Sequence, residues 1–160
     1  MAGEREGAMQ PIDLVEHPEG GRFREVFRSG ATVTRGDGDT RAALTHIYFS
    51  LNGGEVSRFH KVRSDEVWNL YRGAGLYLYT WDETDAPVQR HELSVEADTF
   101  CHVVSAGVWQ AAAPKDGPVL VGCSVGPGFD FADFELIDPA SAVAERLQQG
   151  DPAMKRFIVP

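Results

Sequence analysis

The chain has two cysteines, Cys101 and Cys123, in 160 residues. Two thiols make no disulfide framework of the kind that holds small secreted domains together. Each sits among apolar neighbours, in "TFCHVV" and "VLVGCSV", which predicts a buried free thiol at both positions. No run approaches the roughly 18 apolar residues of a membrane span. The N-terminal "MAGEREGAMQ" lacks the apolar core of a signal peptide. Residues 1–10 are expected to be a disordered tail, and the protein to be cytoplasmic without membrane attachment. Positive charge is scarce: 15 Lys and Arg against 24 Asp and Glu leave a net charge of −9. Such a surface repels a phosphate backbone, and nucleic acid is not an expected partner. A Gly-rich phosphate loop entering a helix, a nucleophile elbow and a Cys-x-x-Cys are all missing.

What fills the chain is short apolar runs separated by Gly, Pro, Asp or Asn, such as "FREVF", "LTHIYFSL", "EVWNLY", "GLYLYTW" and "VLVGCSV". They are rich in β-branched and aromatic residues, which predicts an all-β sandwich or barrel, residues 11–160 forming one domain. "GLYLYTW" alternates, with Leu76 and Leu78 on one side and Tyr77, Tyr79 and Trp81 on the other. Both sides are apolar, so this strand is expected between two packed layers, one of them supplied by a second copy in a homodimer. A helical period emerges after residue 138. Asp138 is the expected cap, Pro139 suits the first turn, Gly150 stops the helix, and Ala140, Val143, Ala144 and Leu147 form an apolar stripe.

The stretch "GEVSRFHKVRSDEVWNLYRG" (54–73) carries the chemistry. Alternate residues on one strand point to the same side, so His60 and Val62 share a direction, and the next strand brings Glu66 beside them. From Gly54 to Gly73 this spacing resembles the first cupin motif, with Val62 where metal-binding cupins have a second histidine. "TFCHVVSAGVWQ" resembles the second motif more weakly, with Gln110 where the last histidine ligand stands. "HPEGGRFREVFRS" (17–29), "THIYFSL" (45–51), "SAGVWQAA" (105–112) and "LVGCSVGPGFDFADFEL" (120–136) extend the likeness to the Cupin_5 family. The resemblance implies a double-stranded β-helix, the jelly-roll barrel, around a central pocket, with a C-terminal α-helix added here. It also implies a homodimer, and a small-molecule ligand that is sugar-like or anionic. It assigns no settled activity.

Two of the four cupin ligand positions hold Val62, which donates nothing, and Gln110, a weak neutral ligand. His60, Glu66 and Gln110 would make a poor cage, so no metal or other cofactor is expected. Without a metal, a carboxylate beside an imidazole favours proton transfer near neutrality, which makes His60 and Glu66 a candidate dyad. The metal-free sugar epimerases of the superfamily use a histidine base, a supporting carboxylate and a tyrosine acid. By that likeness His60 is the base, Glu66 its orienter and Tyr48 or Tyr71 the acid, in an epimerase, isomerase or lyase. The alternatives are a binding cupin without turnover, and a metal enzyme with a degenerate ligand set. His46 and His102 would join the site if their strands faced inward.

Glu25 belongs to "GGRFREVF", which is similar to an early-strand pattern of those epimerases. Arg58 shares the parity of His60, so it either binds a substrate anion or pairs with Glu25 or Glu66. Trp68 stacks on a ligand or fills the core, and Gln110 completes the pocket. Phe129, Phe131 and Phe134 either seal one end of the barrel or clamp a ligand. The charged segment 34–43 is a candidate lid.

Overall fold

In the computed structural model, which describes residues 13–160, the expected tail over residues 1–10 lies outside the described residues. Alternation along the apolar runs is realised as thirteen strands among those residues: β1 (Val15–Glu16), β2 (Arg22–Arg28), β3 (Thr32–Thr34), β4 (Thr40–Ala42), β5 (Thr45–Leu51), β6 (Ser57–Val62), β7 (Asp65–Arg72), β8 (Gly75–Trp81), β9 (Gln89–Ser94), β10 (Cys101–Val104), β11 (Trp109–Pro114), β12 (Val119–Gly126) and β13 (Phe134–Leu136). They form a six-stranded sheet, β1-β2-β5-β12-β7-β10, and a five-stranded sheet, β13-β6-β11-β8-β9, beside the small hairpin β3-β4. The two large sheets face each other as a jelly-roll barrel, as the motif spacing implied.

The inner faces meet in one apolar cluster. Phe49, Leu51, Trp68, Val119, Val121 and Cys123 come from the six-stranded sheet, and Leu76, Leu78, Leu93 and Ala112 from the other. A second cluster lies on the outside of the five-stranded sheet, where Phe59, Tyr79, Trp81, Trp109 and Ala111 pack against Ala144, Leu147, Met154, Phe157 and Ile158. "GLYLYTW" therefore does lie between two layers. The second layer is the chain's own C-terminal segment, so the apolar side of β8 is not available to another subunit.

That segment begins with a turn in which the Asp138 carboxylate accepts from the Ala140 N–H. The helix itself, α1 (Ala142–Gly150), starts later than expected and is capped by Ser141, whose hydroxyl accepts from the Ala144 N–H. Ser141 takes this role because the Asp138 side chain is already used one turn earlier, and Ala140 is left exposed. Asp151 then caps a 3-10 turn, Pro152–Phe157, that buries Met154 and Phe157. No helix among the described residues is long and apolar enough to cross a membrane. Of the two thiols, Cys123 is buried as expected, whereas Cys101 is exposed. It lies on β10, the edge strand of the six-stranded sheet, opposite Asn69 of β7.

Candidate functional site

His60 lies on β6 opposite Gln110 of β11, and Ser57 lies opposite Ala112. A regular antiparallel ladder would set Arg58 opposite Ala112, so β6 carries one extra residue, a β-bulge. The bulge overturns the parity expected for Arg58. Ser57 takes the inward place, and Arg58 turns its guanidinium to the Pro18 carbonyl at 2.8 Å. It pairs with neither Glu25 nor Glu66. Beyond the bulge alternation resumes, and His60 and Val62 face the interior, with Glu66 delivered beside them by β7. His60 is 2% exposed and Glu66 7%.

These three residues line a small chamber completed by Phe23, Ile47, Val125, Phe129, Phe134 and two residues that strand parity could not find, His17 and Glu19. Its free volume is about 30 Å³, room for a water molecule or two. His17 and Glu19 belong to the "HPEGGRF" turn between β1 and β2. Gly20 (φ 110°) closes that turn tightly against the start of β6, where a Cβ would run into the Val56 carbonyl oxygen. The Arg58 N–H then donates to the Glu19 carbonyl at 2.7 Å. A Gly-Gly pair between a histidine, an acid and a strand was the available sequence signal.

Hydrogen bonds define what each group offers. His60 Nδ1 lies 2.7 Å from the Arg58 carbonyl, to which it donates, leaving Nε2 as an acceptor. Glu19 Oε2 is 3.3 Å from the same Nδ1 and accepts from the Ser57 hydroxyl. The carboxylate touching His60 is thus Glu19, not Glu66 as the motif suggested. His17 Nδ1 accepts the Glu19 N–H at 3.2 Å, which puts the hydrogen of a neutral ring on Nε2. Glu66 has its own support. Trp68 Nε1 donates to Gln110 Oε1 at 2.6 Å, fixing the amide so that Nε2 donates to Glu66 Oε1 at 3.1 Å. Trp68 therefore fills the core and orients Gln110, rather than stacking on a ligand.

Burial dominates the protonation of this group. It pushes Glu19 up to about 8, against the Ser57 hydrogen bond and the charge of Arg58. It raises Glu66 to about 7, opposed by the His60 charge and helped by that of Glu19. Burial and the His60 charge lower His17 to about 3, and burial lowers His60 as well, with Glu66 partly offsetting it. Near neutral pH the chamber holds two neutral imidazoles and two carboxyls close to their titration points.

The donor set does not suit the metal that other cupins carry. Val62 contributes an apolar wall, and Gln110 is committed to Trp68 and Glu66. Among the described residues no three His, Cys, Asp or Glu side chains converge as a metal site.

Several expected site residues lie elsewhere. Ile47, Phe49 and Leu51 take the inward side of β5, so His46 and Tyr48 face outward. There His46 bonds the Ser124 hydroxyl at 2.8 Å and the Tyr71 hydroxyl at 2.9 Å, and Tyr48 packs edge-on to Tyr71. Tyr71 also lies over Gly122, where any Cβ would collide with its ring. Neither tyrosine lines the chamber, which removes both as the acid. Glu25 is exposed and held by Arg28 at 2.6 Å, and Arg28 also donates to the Phe129 carbonyl. His102 does face inward, but it stacks on His91 with ring centroids 3.8 Å apart, beside a separate pocket that lacks His60 and Glu66.

Phe129 and Phe134 form one wall of the chamber, and Phe131 packs on both. The charged segment 34–43 runs from the end of β3 through the hairpin tip and β4, and it is anchored at Asp133, next in sequence to Phe134. Arg35 and Arg41 both grip the Asp133 carboxylate, through bonds of 2.8–3.0 Å.

A model of the Cupin_5 family, described as Cupin superfamily (DUF985), matches residues 6–137. An uncharacterized protein of Saccharomyces cerevisiae is 32% identical over 92% of this chain and 76% of its own length. The structure of a hypothetical protein from Leishmania major superposes with a TM-score of 0.83, at 28% identity, covering 100% of this chain and 99% of that one. A Shewanella oneidensis protein gives a TM-score of 0.79 at 31% identity over 92% of both chains.

Proposed function

The chain belongs to the Cupin_5 family, and from that premise we propose that it is a small-molecule enzyme of the epimerase, isomerase or lyase type, working by proton transfer in its interior chamber. The observation behind this reading is that His60 shares one buried chamber with two carboxyls, Glu19 in contact with it and Glu66, which burial raises to about 8 and about 7. His60 Nε2, bare because Nδ1 donates to the Arg58 carbonyl, is the base that removes a proton from carbon. Glu19, against His60 Nδ1, orients the ring. Glu66, close to half protonated at neutral pH, returns a proton to carbon or to a leaving oxygen. Gln110 steadies Glu66 in either state.

A binding cupin without turnover is the second reading, favoured by the small volume of the chamber. Deuterium uptake separates the two. Hydroxycarbonyl compounds incubated with the protein in D2O should gain deuterium at the carbon next to the carbonyl, as followed by NMR. His60→Gln should lose this exchange. Compounds that bind while their carbon-bound hydrogens stay unexchanged would leave binding without turnover.

A further inference from the structure

The chamber's charge inventory restricts its ligand more than its shape does. Among the described residues, no lysine or arginine lines it. The guanidinium groups around it are each committed to an acceptor of the protein. Arg28 holds Glu25 and the Phe129 carbonyl, Arg35 and Arg41 hold Asp133, and Arg58 holds the Pro18 carbonyl. Inside, the four titratable groups are two carboxyls and two imidazoles, all at least half-sunk in apolar surroundings of Phe23, Ile47, Val62, Val125, Phe129 and Phe134. A phosphate would enter with up to two negative charges, lose its water, and meet two acids instead of a cation. Burying an unpaired charge costs far more than burying a hydroxyl that finds a hydrogen bond.

What the walls do offer is hydrogen-bond donors and acceptors, with no cation among the described residues. His17 presents an Nε2 hydrogen and His60 an Nε2 lone pair. A protonated carboxyl both donates and accepts. Resting on the proton-transfer reading of this site, we propose that the substrate is a small, uncharged hydroxycarbonyl compound or free sugar that carries no phosphate, and not a sugar nucleotide. Its hydroxyls replace the one or two waters the chamber has room for.

Dihydroxyacetone and dihydroxyacetone phosphate form a matched pair of probes for the full chain. Their binding is read from the imidazole NMR signals of His17 and His60, assigned with His17→Gln and His60→Gln. Dihydroxyacetone should move both signals saturably, and the phosphate should need a concentration about tenfold higher or more, since each tenfold is about 1.4 kcal/mol. The proposal is overturned if the phosphate shifts the rings at the lower concentration, or if dihydroxyacetone moves neither. Deuterium uptake in the same samples keeps the two ideas apart. Binding of dihydroxyacetone without exchange preserves the ligand class and removes proton transfer. Exchange in the phosphate alone preserves proton transfer and removes the ligand class.

Discussion

His60 and His46 each sit in a short chain of hydrogen bonds, one inside the barrel and one on the outer side of the six-stranded sheet. His60 bridges the Arg58 carbonyl and Glu19, with Glu66 close enough for its charge to act on the ring. His46 bridges Ser124 and Tyr71, and among the described residues no acid pairs with it. The inner chain is almost entirely removed from water, whereas Tyr71 is 46% exposed. Hydrogen bonding of the histidine is therefore not what separates the two chains. What sets the inner chain apart is burial together with carboxyls, which raises Glu19 and Glu66 towards neutrality. The outer chain does different work: it holds Tyr71 flat across Gly122, covering a strand position that has no side chain.

The largest effect that could break this contrast is on turnover. Once a substrate is identified, His60→Gln should lower the rate by about 10²–10⁴-fold, the usual span for a general base, with the fold intact by circular dichroism. His46→Gln should leave the rate within about twofold under the same principle. Equal losses in the two variants would mean that the outer chain takes part in the chemistry.

A smaller effect is on stability against pH. Glu19 and Glu66 titrate above the ordinary carboxylate range when folded, at about 8 and about 7. The folded state therefore keeps protons that the unfolded chain has released. Their contribution is full below pH 4.5 and fades as the pH rises through 7 and 8. His17, lowered to about 3, acts with the opposite sign, and its contribution is present above 6.5 and lost as the pH falls towards 3. The melting temperature should pass through a maximum between about pH 4.5 and 6.5. Glu19→Gln should flatten the alkaline limb, while removing the outer imidazole with His46→Gln should leave that limb unchanged. An alkaline limb as steep in Glu19→Gln as in the wild type would mean that Glu19 is ionised in the fold. The smallest effect is expected from Tyr71→Phe, which removes one partly exposed hydrogen bond. Chemical denaturation should show a loss below about 1 kcal/mol.

The inner site was legible where strand parity holds and illegible where the backbone departs from it. His60, Val62 and Glu66 face the chamber because β6 beyond its bulge and β7 alternate regularly. The same parity sets Tyr71 opposite to Glu66 along β7, so its outward position was within reach, and the likeness to tyrosine-using epimerases pulled the other way. Arg58 was misplaced because a single inserted residue shifts the alternation, and nothing in "SRFHKV" marks it. His17 and Glu19 lie on a turn, where no period applies, and their place depends on the approach of Gly20 to a strand far along the chain. The helix was visible from its stripe, but its cap was not, because Asp138 and Ser141 are both good caps.

The family match ends at residue 137, yet the outer apolar cluster runs on to Ile158. A chain cut at the family boundary would keep every strand and the whole chamber. It would also strip Phe59, Tyr79, Trp81 and Trp109 of their cover and present a broad aromatic surface to water. Surfaces of that kind drive association between molecules. The end of the family match and the end of the outer apolar core therefore fall at different points of the same chain.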